Sequence, residues 1–126
     1  MMTPEQSSHK AIEIFSQLQA FVEEHAGQSE RCDRVERGIF DRLLELGRAL
    51  MGSFFAMAGE GDVGETWDRN GVILKRLEEL GIREYHSIFG IIPVARRIYA
   101  VREKQEAHAP LDAELGFPEG THSYVL

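Results

Sequence analysis

The sequence predicts an α+β chain: an N-terminal helical hairpin followed by a small antiparallel β-sheet. Three observations predict it. Apolar residues recur at spacings of three and four through the first 58 residues. The period shortens to two after residue 82. Pro, Gly and Asp then punctuate the last stretch, from residue 106 onward.

The first helix opens on Thr3-Pro4-Glu5: Thr as N-cap, Pro at the first helical position and an acid in the first turn. Ile12, Phe15, Leu18 and Val22 form its apolar stripe, widened by Ala11, Ile14 and Phe21, and Gly27 ends it. Ser29 or Asp33 is placed to cap a second, longer helix over roughly 30–58. Val35, Ile39, Leu43, Leu46, Leu50, Phe54 and Met57 mark one face of that helix. Gly38, Gly47 and Gly52 lie inside it. Each disfavours helix by about 1 kcal/mol relative to Ala. They predict either a close helix–helix approach, as in a dimer, or a kink. Residues 58–64 are a loop by composition.

Residues 71–81 fit either a short helix or the start of a strand. From Ile82 the pattern alternates, with Tyr85, Ser87 and Phe89 on one face. Gly90 permits a turn, and a second strand runs on through Arg96 and Arg97 to Tyr99. Pro93 cannot donate a ladder hydrogen bond, so this strand belongs at an edge. The organisation is then a helical segment (1–64), a β-hairpin segment (65–105) and a turn-rich C-terminal segment (106–126).

Composition narrows the function classes. At 126 residues the chain fits one domain. No run of about 18 apolar residues is present, and the N-terminus lacks a signal-peptide pattern, so the cytoplasm is the expected compartment. A single cysteine, Cys32, excludes an internal disulfide and a Cys-rich zinc site. The five histidines show no i, i+4 pair, and no phosphate loop or nucleophile–base arrangement is visible, so no metal, cofactor or catalytic residue is assigned. Asp112 reads as an N-cap for the residues after it.

The net charge of −7 argues against a whole-surface affinity for nucleic acid. The charge is segregated, however. Residues 81–105 carry five basic and two acidic side chains, and they are the only positive stretch. Arg96, Arg97, Arg102 and Lys104 are therefore the candidate DNA-backbone contacts. A strand whose arginines pair with Glu84, Glu103 or Asp112 explains the same residues without DNA. Tyr85, Phe89, Tyr99 and Tyr124 could stack on bases, but aromatic residues in strands more often pack. Trp67 reads as a core plug set in a polar loop.

One resemblance adds to this. The run F-G-x-x-x-V-x-R-R-x-Y covers Phe89 to Tyr99. After a spacer comes P-L-D-x-x-L-G-x-P-x-G-x-x-S-Y, covering Pro110 to Tyr124. Together they resemble the N-terminal part of bacterial insertion-sequence transposases of the ISKra type. The likeness covers roughly residues 74–126 well and the helical half only in general character. It implies a non-catalytic region that contributes to transposon DNA binding or transposase assembly. The catalytic acidic residues of such an enzyme would lie beyond Leu126, and the apolar ending Tyr124-Val125-Leu126 fits a truncated piece. A reading from a different class stands beside it: a homo-oligomerisation or protein-interaction module that does not touch DNA.

Overall fold

A computed structural model of the protein describes residues 2–102 and 106–126. Helix α1 (Pro4–Ala26) begins as its sequence requires. Thr3 Oγ1 accepts from the Gln6 N–H at 3.1 Å, and Gln6 Oε1 accepts from the Thr3 N–H at 3.0 Å. This reciprocal pair satisfies two of the free donors at the helix start. Gly27 caps the far end.

Helix α2 (Cys32–Ala58) follows antiparallel to α1. Its N-cap is Arg31, with no side-chain cap, so neither Ser29 nor Asp33 serves in that role. The Asp33 carboxylate instead meets Arg31 at 3.0 Å. The helix runs unbroken through all three glycines. Two of them allow close approach within the chain. A Cβ on Gly38 would come within 3.0 Å of the Phe21 ring from α1, and one on Gly47 within 2.6 Å of the Phe89 ring. Gly52 faces open space.

Five strands follow: β1 (Thr66–Arg69), β2 (Val72–Arg76), β3 (Gly81–Ser87), β4 (Gly90–Arg96) and β5 (Tyr99–Ala100). They confirm the α+β class but divide into two antiparallel sheets, β1-β2-β5 and the β3-β4 hairpin. Strand β1 lies in the stretch read as a loop around Trp67. Asn70 and Gly71 turn β1 into β2 with φ of 55° and 87°, the left-handed pair that a tight hairpin requires. The ambiguous residues 71–76 are therefore strand. Gly90, at φ 123°, turns β3 into β4. Strand β4 pairs with β3 alone, which accommodates Pro93. The continuous strand expected through Tyr99 is broken after Arg96. There the chain leaves one sheet for the other, and Tyr99 pairs with Arg76 of β2.

A short helix α3 (Pro110–Glu114) closes the fold. Its N-cap is Ala109, so Asp112 lies inside the helix and is not a cap. Phe55 of α2, Ile92 and Val94 of β4 and Leu111 of α3 form the core. Met51, Tyr85, Leu115 and Phe117 pack against them. The helical, hairpin and C-terminal stretches thus share one apolar centre. Residues 121–123 then run beside β3, with the His86 N–H donating to Thr121 and the Ser123 N–H to His86.

Candidate functional site: two arginine clusters and an uncovered helical face

Arg96 leaves the end of β4 and meets Asp112 of α3 in a fork. Nε donates to Oδ1 at 2.7 Å and an Nη donates to Oδ2 at 3.2 Å. Arg83 of β3 approaches the same carboxylate at 3.6 Å. It also donates to the carbonyls of Pro118 and Gly120 and lies over the Phe117 ring at 4.7 Å. Its Nε is buried without a partner. The Asp112 carboxylate therefore ties the hairpin to α3, and Arg83 ties it to the loop after α3.

Arg97 points the other way, as the strand period demands. Its Nε lies 3.2 Å from Glu60 and 3.9 Å from Asp62. Asp62 also accepts from Arg76 at 2.7 Å and from the Gly64 N–H at 2.9 Å. The Gly64 N–H, then Arg76, hold the Asp62 carboxyl below the usual aspartate range, and Asp62 in turn raises Arg76. Beneath this cluster Tyr99 is fully buried. Its hydroxyl donates to the Gly64 carbonyl at 2.6 Å and accepts from the Val63 N–H at 3.1 Å. Trp67 packs edge-on against its ring at 5.7 Å.

The candidate DNA contacts thus part company. Arg96 and Arg97 are held in ion pairs on opposite sides of the chain, one with Asp112, as the alternative reading of the strand allowed. Arg102 is exposed. Lys104 lies outside the described residues. Of the aromatic candidates, Tyr99 is core, Tyr85 packs on Phe55 and Phe117, and Phe89 sits over Gly47. Tyr124 is exposed. The His86 and His122 rings lie tilted against each other, with centroids 4.8 Å apart, beside Glu84, but no group of three or more ligating side chains forms among the described residues.

The second feature is one that the apolar stripes did not resolve. About half of each is uncovered. On α1, Ser7, Ala11, Ile14 and Leu18 are buried, while Ile12, Phe15 and Val22 are exposed. On α2, Phe40, Leu43, Leu50, Phe54 and Met57 are exposed. At 100° per residue the apolar positions of α2 span roughly 260° of its circumference, whereas one packed face takes about 100°. Helix α1 covers one arc and the β-sheet side a second; the third faces solvent. Contacts fix its side. Phe21 meets Gly38, and Ser8 lies 3.5 Å from Ser53. At roughly 100° per residue these put Phe15 and Val22 on the same flank of the helical hairpin as Leu43 and Leu50, while the edge of that face between Phe40 and Phe54 meets Phe89 of the β3-β4 turn at Gly47. Ile12, Phe15 and Val22 with the five α2 residues, each 41–64% exposed, form one apolar surface.

Comparison with known protein families, curated proteins and solved structures returns no match. No helix among the described residues is long and apolar enough to cross a membrane.

Proposed function

We propose that this chain is the non-catalytic N-terminal region of an insertion-sequence transposase of the ISKra type, in the cytoplasm, and that its task there is assembly through the helical hairpin. The family half of the proposal rests on the motif order from Phe89 to Tyr124. The fold supplies a physical use for those residues: Arg96 grips Asp112, Tyr99 seals the loop at 62–64, Phe89 fills the notch at Gly47, and Leu111 is core. The assembly half rests on the uncovered apolar face. Eight half-exposed large side chains at roughly 100 Å² each leave on the order of 800 Å² of apolar surface. A typical monomer's largest patch is about 300–600 Å², and one partner of a standard interface contributes about 800 Å².

Self-association is favoured over DNA contact because phosphate would have to compete with Asp112 for Arg96 and with Glu60 for Arg97. The test is one sample measured two ways. Light scattering at tens of micromolar should give a mass above the 14.3 kDa monomer. Titration of a labelled duplex at about 50 mM salt should show no binding that depends on Arg96 and Arg97. Binding that weakens steeply with salt and is lost in the Arg96→Ala/Arg97→Ala variant would favour the DNA role. A monomer would remove the assembly role. The family assignment is tested separately, by whether the reading frame beyond codon 126 in the genome encodes spaced acidic residues.

A further inference from the structure

We propose that the uncovered face of α2 pairs antiparallel with the same face of a second copy, about a two-fold axis passing between Gly47 and Leu50. The inference rests on the assembly reading and names its partner and geometry.

The spacing comes first. Phe40, Leu43, Gly47, Leu50, Phe54 and Met57 follow one another at alternate steps of three and four. That is the a/d seam of a helix that packs along its length on another helix. It is distinct from the face α2 turns to α1, where Ser53 is buried.

The seam is also self-complementary. A two-fold axis between Gly47 and Leu50 sets Phe40 opposite Met57 of the second copy, Leu43 opposite Phe54, and Gly47 opposite Leu50. Every layer then joins an a position to a d position, and none faces a polar side chain. At Gly47 the Phe89 ring stands in the place of a side chain, so the branched Leu50 of the second copy meets that ring. A closed dimer requires that a patch fit itself in this way. A parallel pairing would instead set Gly47 against Gly47 and crowd the two Phe89 rings that cover them together at mid-seam.

Charge points to the same face. Between Phe40 and Met57 the charged residues are Asp41, Arg42, Glu45 and Arg48. At 100° per residue all four fall on the other half of the helix. Two chains of net charge −7 repel each other over most of their surface. This face is where they can meet without that repulsion. Ile12, Phe15 and Val22 of α1 lie beside the seam and extend the contact into a four-helix bundle.

Cys32 is exposed and is the chain's single cysteine, so a nitroxide can be attached to the protein as it exists. It lies about 16 residues from the axis, roughly 25 Å at 1.5 Å per residue. Dipolar spectroscopy on the labelled dimer should give a separation of about 50 Å. A dimer with labels only about 10–20 Å apart would overturn the antiparallel geometry and leave assembly standing. A labelled protein that is monomeric at tens of micromolar, with no dipolar coupling, would overturn both.

Discussion

Replacing Asp112 by Ala strands two arginines at once. Breaking a fully buried ion pair costs about 3–5 kcal/mol, because a charge is left without a partner. An exposed pair contributes only about 0–1 kcal/mol. The cluster lies between these limits: the Arg83 and Arg96 side chains are 13% and 16% exposed, and Asp112 is 29% exposed. The loss should therefore be about 2–3 kcal/mol. Arg96 accounts for most of it, since both arms of its fork lose their acceptor. Arg83 keeps the Pro118 and Gly120 carbonyls. Urea unfolding at one fixed protein concentration reads the effect. With a slope of roughly 1.5 kcal/mol per molar, the midpoint should fall by about 1.5 M. Adding Arg96→Ala removes the stranded charge, so the double variant should lose at least about 1 kcal/mol less than the sum of the two single changes. A loss under about 0.5 kcal/mol, or strict additivity, would refute the keystone role of Asp112.

The other predictions concern α2 and the Tyr99 cluster. Gly52→Ala meets open space and should stabilise by up to about 1 kcal/mol. Gly47→Ala must displace the Phe89 ring and should destabilise by about 1 kcal/mol or more; equal effects in thermal melts would contradict the intrachain close approach. Tyr99→Phe leaves the Gly64 carbonyl and the Val63 N–H without their buried partner and should cost about 1–2 kcal/mol by urea titration. Asp62 has a lowered folded pKa, so its stabilising contribution is complete above the ordinary aspartate value of roughly 3.9 and is lost as pH falls through the folded value. The stability gap between the wild type and Asp62→Asn should therefore narrow as pH drops from about 6 to about 3; parallel curves would count against the cluster.

How far each feature was legible follows from how local its causes are. The start of α1 lies within one turn, and its Thr3 cap and Pro4 were read correctly, although the reciprocal bond from Gln6 was not. The Gly90 turn and the strands beside it carry their own alternation and φ requirement. Strand β1 was missed because Asp68 and Arg69 mask its alternation, although Asn70-Gly71 is a recognised hairpin signal. Arg96 and Arg97 summed to a positive stretch in linear order. Their partners, Asp112 and Glu60, lie 16 and 37 residues away, so only the fold shows that this charge is neutralised. Asp62, Arg76 and Arg83 were missed for the same reason. The apolar stripes of α1 and α2 were visible. Which arc of each would be covered depends on where α1 and the sheets dock, and no local residue decides that. The one available sign was an apolar arc on α2 too wide for a single partner.

The central claim is that the hairpin face is an interface. Sedimentation equilibrium on the wild type and on Leu50→Glu, from about 5 to 100 µM, tests it most directly. Leu50 is half exposed and lies at the centre of the seam, so the substitution leaves the monomer's own core intact, which circular dichroism can verify. The wild type should approach twice the 14.3 kDa monomer mass as concentration rises, and Leu50→Glu should stay at 14.3 kDa with unchanged helicity. A wild type that remains at 14.3 kDa throughout, or a Leu50→Glu variant that assembles equally well, would contradict the account.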